Sequence, residues 1–354
     1  MKGDKMSQKM SEFLRLENFL PPKDSAEKGL TIINKEKMLY HIFDEDDCYA
    51  LWAAYAAGRP LLLRGKPGTG KSQMAKAIAE QLGWAFVSEV IRGNTELSDL
   101  HWHFDAIGRL SEAQAMSFRR EESDTDWNKH TDPLNFLSPG AFWWAYDWKS
   151  AEQQYQACVT KLRPAPERPQ KLTKSQQPDG VVLLLDEIDK ADPDLPNGLL
   201  ETLGQYQFTV PYLNQQSIQI GLKNPIKADP SRLLVVITTN EERELPTAFV
   251  RRCLVHTLKM ENSAGKREQW LIDRACLHFG TKISKTVYQE AAQLLWKDRE
   301  AQSDSRYLPG LAEYIDLLKA LEFLKPKEQE QRLRKIANFS LKKEVSIEPW
   351  PGKD

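Results

Sequence analysis

The sequence predicts an α/β protein: a parallel β-sheet flanked by helices, with an all-helical domain after it. Three observations carry that expectation. The runs "PLLLR", "VVLLLDEID" and "RLLVVITTN" are short, continuous and rich in leucine and β-branched residues, the pattern of strands buried on both faces. Helical patterns separate them, as the crossovers of a parallel sheet require. From about residue 258 onward no strand pattern recurs, and one helical pattern follows another.

Taken in order, residues 1–36 are polar; "LPPKDSAEKG" is loop-like, and 9–19 fit one short helix. "DEDDCYALWAAYAAG" reads as a helix with acidic residues at its start and Gly58 past its end. "RPLLLRG" is a strand, "KSQMAKAIAEQLG" a helix stopped by Gly83, and "WAFVSEV" the next strand. Residues 92–178 are less regular. They run from "GNTELSDLHWHFDAIGRLSEAQ" through a polar stretch to the aromatic-rich "FLSPGAFWWAYDWKSAEQQYQACVTKL". The proline-rich "RPAPERPQKLTKSQQPDG" is an expected exposed loop. "VVLLLDEID" is a buried strand, "LPNGLLETLGQ" a helix, "YQFTVPYLNQQSIQIGL" a hairpin and "RLLVVITTN" another buried strand. The closing helices are "GKREQWLIDRACLHFG", "SKTVYQEAAQLLWKDREAQ", "LPGLAEYIDLLKALEFL" and "EQEQRLRKIANFSL".

A length of 354 residues suits two or three domains. Lys plus Arg is 49 and Asp plus Glu 50, so no global basic field draws in nucleic acid or a membrane surface. The cysteines Cys48, Cys158, Cys253 and Cys276 have neither paired nor zinc-site spacing and read as reduced, packed thiols. No apolar run is long enough to span a bilayer, and the N-terminus lacks a signal-peptide core, so the expected compartment is the cytoplasm.

The chemistry concentrates at expected strand ends. "GKPGTGKS" places Gly65, Gly70, Lys71 and Ser72 at GxxxxGK[ST] spacing between a strand and a helix. Glycines there let several N–H groups converge on one anion, and the helix N-terminus adds its positive end. Lys71 would reach the β- and γ-phosphates of a nucleotide, and the Ser72 hydroxyl would hold Mg²⁺. In "VVLLLDEIDKAD", Asp186 would sit in the Mg²⁺ shell and Glu187 would orient and deprotonate the attacking water. Asp189 and Asp192 read as solvated or helix-capping. The third strand ends in Thr238, Thr239 and Asn240, where a polar side chain could position the same water. In "LPTAFVRRCLVHTL", Arg251 and Arg252 are adjacent, and an arginine reaching a neighbouring subunit's γ-phosphate would stabilise transition-state charge.

The segments "GRPLLLRGKPGTGKS", "GNTELSDL", "DEIDKADPDLPNGLLETL" and "TTNEERELPTAFVRRC", in this order and followed by a helical domain, resemble the AAA+ ATPases, and the MoxR branch most of all, over roughly residues 37–325. The resemblance implies an ATPase that uses ATP and Mg²⁺ at the subunit interfaces of a homo-oligomeric ring, usually a hexamer. It implies a remodeller or chaperone working on a protein partner, often one with a von Willebrand A domain. By position it makes Gly65, Lys66, Pro67, Gly68, Thr69, Gly70, Lys71 and Ser72 the Walker A loop, with Gln73 next on its helix. Asp186 and Glu187 become the Walker B pair, Asn240 sensor 1, and Arg251 or Arg252 the arginine finger. The family's lid-helix arginine, sensor 2, is missing from "YLPGLAEY"; Arg306 just upstream is a candidate to serve instead.

The expected organisation is an N-terminal extension (1–36), an α/β nucleotide-binding domain (37–257) with an enlarged insert at about 107–178, and a helical lid (258–354). An ATP-gated switch in a multi-protein system and a nucleic-acid-stimulated motor stay open on sequence alone, the balanced charge arguing against the second. "HWH" at 101–103 reads as two histidines on one strand face in ordinary packing. Phe142, Trp143, Trp144, Tyr146 and Trp148 read as a packed cluster rather than a base-stacking platform.

Overall fold

The structure, a computed structural model, describes residues 14–20, 30–34, 36, 39–118, 130–162, 164–169, 177–213, 222–301 and 308–341. Its contacts divide the chain into two compact units: residues 1–30, 43–64 and 74–256, and residues 31–42, 65–73 and 257–354.

Two short strands, β1 (Leu30–Asn34) and β2 (Leu39–Phe43), pair with each other. Of the helix expected over 9–19, the described residues hold a single 3-10 turn, Leu16–Asn18. Helix α1 (Glu45–Ala57) starts where Asp44 N–H donates to Asp47 Oδ2 at 2.9 Å. Its first turn carries Glu45, Asp46 and Asp47 against the positive helix end. It stops at Gly58, whose φ of +60° is left-handed backbone that glycine adopts without a Cβ clash.

β3 (Leu61–Arg64), α2 (Lys71–Leu82) and β4 (Ala85–Val90) follow as the sequence predicts. The region 92–178 then folds as α3 (Leu97–His101), β5 (Trp102–Phe104), α4 (Ala106–Ser117), β6 (Leu137–Pro139), α5 (Ala141–Tyr146) and α6 (Trp148–Cys158). β5 and β6 form an antiparallel pair, Trp102 opposite Pro139. Next come β7 (Val181–Asp186) and α7 (Asp194–Gln205). The expected hairpin is smaller and displaced: β8 (Gln207–Phe208) pairs with β9 (Ile226–Lys227), and residues 214–221 lie outside the described residues. β10 (Leu233–Thr239), α8 (Thr247–Arg252) and β11 (Leu254–Thr257) complete the first unit's sheet.

That sheet has the order β11-β3-β10-β7-β4. Its β3–β10, β10–β7 and β7–β4 pairs are parallel, and helices flank it. Val182, Leu183, Leu185, Val236 and Ile237 are fully buried or nearly so, which is why these strands read as unbroken apolar runs. Thr239 lies opposite Arg64, and Ile237 opposite Leu185. β3 and β10 therefore end in one row, and β7 ends one residue earlier, which places Asp186 level with Thr238.

The aromatic cluster is core. Trp143 and Phe142 have no exposure, Trp144, Tyr146 and Trp148 have 6% or less, and Trp143 Nε1 donates to Ser150 Oγ at 3.1 Å. None of them is available to stack a base. The two histidines do not share a strand face. His101 ends α3 and is buried, stacked on Phe208 at 4.3 Å with Nε2 2.9 Å from Thr202 Oγ1, while His103 is exposed in β5. Cys48, Cys158 and Cys253 are buried free thiols, and Cys276 is exposed.

The second unit's helices are α9 (Arg267–Phe279), α10 (Lys285–Ala301), α11 (Leu311–Glu322) and α12 (Pro326–Ser340). Their apolar faces meet in a separate core around Leu271, Val287, Leu295, Tyr314, Leu318 and Leu333. No described helix is long and apolar enough to cross a membrane.

Two expectations test this packing. Trp143→Ala removes the largest fully buried side chain and should destabilise the protein by about 3–5 kcal/mol, read as a lower urea midpoint. Burial lowers the His101 pKa from 6.5 to about 4. Between those values the unfolded chain binds a proton that the folded chain refuses, so stability falls as pH drops from 6.5 toward 4. His101→Gln should flatten that slope by up to about 1.4 kcal/mol per pH unit; equal slopes in both proteins would remove His101 as its source.

Candidate functional site

The phosphate loop lies within the second unit. Gly65 has a φ of +144°, and a Cβ there would sit 2.6 Å from Leu258 O, so no other residue fits without displacing backbone. Gly70 turns the chain into α2 at a φ of +92°. Lys66, Pro67 and Gly68 are exposed, Thr69 and Gly70 half-buried, and Thr69 Oγ1 donates to Lys66 O at 2.9 Å, closing the loop on itself. Lys71 is buried, and its ammonium donates to Gly65 O at 2.7 Å and Lys66 O at 3.1 Å. The cation is thus folded against its own loop. Ser72 is exposed at the first turn of α2, and Gln73 Nε2 donates to Tyr40 O at 3.5 Å on β2. The start of α11 approaches the loop: a Cβ on Gly68 would meet Ala312 Cβ at 2.9 Å and Glu313 Oε2 at 3.7 Å. Residue Arg306 lies outside the described residues.

The acidic pair and the third strand end meet in the first unit. Thr238 is fully buried, and its hydroxyl serves both sides of the acidic pair. It donates to Asp186 Oδ1 and accepts the Glu187 N–H at 2.9 Å. Glu187 stands in left-handed backbone, φ +62°, a conformation that costs a non-glycine residue about 1–3 kcal/mol and aims its side chain off the strand line. Its carboxylate is held at both oxygens. Asn240 Nδ2 donates to Oε1 at 3.3 Å, and Lys190 Nζ to Oε2 at 2.7 Å. That contact raises the Lys190 pKa, keeping the ammonium charged. A carboxylate so placed can accept a proton from water once one oxygen is released, and Lys190, 43% exposed, is free to swing out.

Asp189 departs from the expectation of a solvated or capping residue. It is neither solvated nor a helix cap: it is 2% exposed, and its Oδ2 accepts N–H groups from Asn240 at 3.2 Å and Glu242 at 2.9 Å. It therefore fixes the loop that carries Asn240. Asp192 does sit by a helix start, accepting the Asp194 N–H at 3.1 Å. Sequence places Thr238 at the strand end as a group that could position water, whereas it braces the acidic pair; Lys190 is the residue that sequence alone misses. The signal for Thr238 was a hydroxyl next to the end of an otherwise apolar strand.

Arg251 and Arg252 are exposed in the last turn of α8, away from the acidic pair. Leu254, two residues on, donates its N–H to Pro60 O at 2.9 Å, where β3 begins. Asp186, Glu187 and Asn240 lie at the other end of the sheet, where β3 finishes. The four residues of β3 separate those edges by about 13 Å at ~3.3 Å per residue.

Asp186 and Ser72 offer hard oxygen atoms, the donor type Mg²⁺ prefers. Among the described residues no group of three or more His, Cys, Asp or Glu could hold a metal. Each oxygen taken alone, Asp186 in the first unit and Ser72 in the second, suits an ion carried mainly by phosphate oxygens and water, as Mg²⁺ is at nucleotide sites.

Residues 61–120 match the family described as ATPase family associated with various cellular activities (AAA). No curated protein matches the chain. Among solved structures, the crystal structure of a candidate ATPase from Cytophaga hutchinsonii is similar at 14% identity, over 93% of this chain and 84% of that one, with a TM-score of 0.36. So loose a likeness bears no weight here.

Thr238→Val keeps the shape but leaves Glu187 N–H without its acceptor and Asp186 one donor short. Unfolding free energy should drop by about 1–3 kcal/mol, while Thr238→Ser, which keeps the hydroxyl, should lose less. Equal losses in the two variants would assign the effect to packing.

Proposed function

Starting from an ATPase that carries AAA-family sequence at residues 61–120, we propose a MoxR-like AAA+ enzyme that hydrolyses ATP at the interfaces of a ring and so remodels or activates a partner protein. The single observation that supports the ring is the position of the two arginines. Arg251 and Arg252 stand at the edge of the sheet opposite Glu187 and Asn240, so in this reading they serve a nucleotide held by the next subunit. A hexamer and a partner with a von Willebrand A domain follow from the motif resemblance. In the same reading residues 37–257 form the catalytic domain, 258–354 the lid and 1–36 an extension, and the enzyme works in the cytoplasm.

Each residue has one task. The Walker A loop, Gly65 to Ser72, wraps the phosphates with its N–H groups. Lys71 exchanges the Gly65 and Lys66 carbonyls for β- and γ-phosphate oxygens, a swap of neutral acceptors for charged ones. The Ser72 hydroxyl and the Asp186 carboxylate would hold Mg²⁺, which when bound neutralises phosphate charge. Thr238 donates to Asp186 Oδ1 and so restrains that carboxylate. Glu187 takes the proton of the attacking water, and the Asn240 amide fixes both Glu187 and that water. An arginine from the neighbour meets the charge that builds on the transferring phosphoryl group.

Glu187→Gln should keep ATP affinity and lose turnover by about a hundredfold or more, measured by isothermal titration and phosphate release. Lys71→Ala should abolish the titration signal. With ATP and magnesium, light scattering of the Glu187→Gln variant should report a ring mass; a monomer at working concentration would overturn the ring.

A further inference from the structure

Arg59 is the last residue but one before β3, directly after the glycine that ends α1. It has no place in the chemistry above, yet its guanidinium is spent on one short segment. Nε donates to Arg252 O at 3.0 Å, and Nη2 donates to Arg251 O and to Cys253 O, the latter at 3.3 Å. Three successive carbonyls at the end of α8 thus converge on one planar donor fork.

The last carbonyls of a helix have no partners within it, and α8 has only six residues. A cation at that end both satisfies them and opposes the helix dipole. Packing alone does not hold the segment. Phe249 anchors it in the core, but the helix end borders a cavity of about 270 Å³ lined by Leu203, Gly204, Tyr206 and Phe249. Two further tethers are Arg252 Nη1, which donates to Leu200 O on α7 at 3.2 Å, and Leu254 N–H, which donates to Pro60 O at 2.9 Å. Lysine at position 59 would not reproduce the fork, because an ammonium is a point charge without fixed donor geometry.

We propose that Arg59 is a positioning residue for the arginines offered to the neighbouring subunit: it sets the end of α8 from which Arg251 and Arg252 project. This deepens the reading above and rests on it. Arg59 touches no substrate and acts through the α8 backbone.

The clearest test is complementation across subunits. Arg59→Ala should bind ATP in titration as the parent does, because its own loop and acidic pair are untouched, while kcat falls roughly tenfold or more. Arg59→Lys should lie between the two. Lys71→Ala subunits bind no nucleotide but carry intact arginines. Coexpressed with Arg59→Ala subunits, they should restore turnover above the sum of the separate variants, since each would present its arginines to an Arg59→Ala neighbour holding ATP. The double variant Arg251→Ala, Arg252→Ala mixed with Lys71→Ala is the control for the ring itself. Recovery in the control without recovery for Arg59→Ala overturns the role of Arg59 alone. No recovery in the control overturns action across subunits, and this proposal with it. Parental turnover in Arg59→Ala, or loss of its ATP binding, likewise overturns the proposal, the second by showing a general structural role.

Discussion

The register of three parallel strands is the constraint on which the rest depends. β3 and β10 end level, Thr239 opposite Arg64, and β7 ends one residue earlier, Ile237 lying opposite Leu185. A slip of one residue would turn every side chain to the other face and bury the polar ends among the helices. What prevents it is the apolar run behind those ends. Leu61, Leu62, Leu63, Val182, Leu183, Val236 and Ile237 are almost wholly excluded from solvent, so any shift exchanges close packing for cavities and buried polar groups. The polar edge is the place where the core stops, and its precision is inherited from the core.

At that edge the polar groups hold one another. Thr238 spends its hydroxyl proton on Asp186 and its lone pair on the Glu187 backbone. The left-handed turn at Glu187 is unfavourable alone and persists because this bond and the Asn240 and Lys190 contacts determine it from several sides. Asp189 performs the same service one turn later, gathering the N–H groups of Asn240 and Glu242. Its other oxygen, Oδ1, is buried without a partner among the described residues. Such a group costs about 1–3 kcal/mol, and this one is tolerated beside a carboxylate whose second oxygen fixes Asn240.

Sequence made the strands and the phosphate loop legible because both are local. GxxxxGK[ST] needs eight consecutive residues, and a strand buried on both faces declares itself in five or six. Glu187 was legible as the residue after an apolar run. Its left-handed backbone was not, since that depends on a threonine 51 positions away. Asp189 was misread for the same reason: an aspartate after a strand is most often solvated, and the N–H groups that bury this one come from another strand's exit. "HWH" misled by assuming one strand, when a helix ends at His101 and a strand starts at Trp102. Arg59 carried no signal, because an arginine before a strand is common and its carbonyl partners lie more than 190 residues later.

β3 joins these observations. It is four residues long, begins just after Arg59 and runs straight into Gly65. Its pairing with β10 ties its exit to Thr239, next to the residues that hold Glu187. Its entrance is tied to the α8 segment through Arg59 and through Leu254 N–H on Pro60 O. A strand this short, hydrogen-bonded on both sides and fully packed, cannot bend to absorb a displacement at one end.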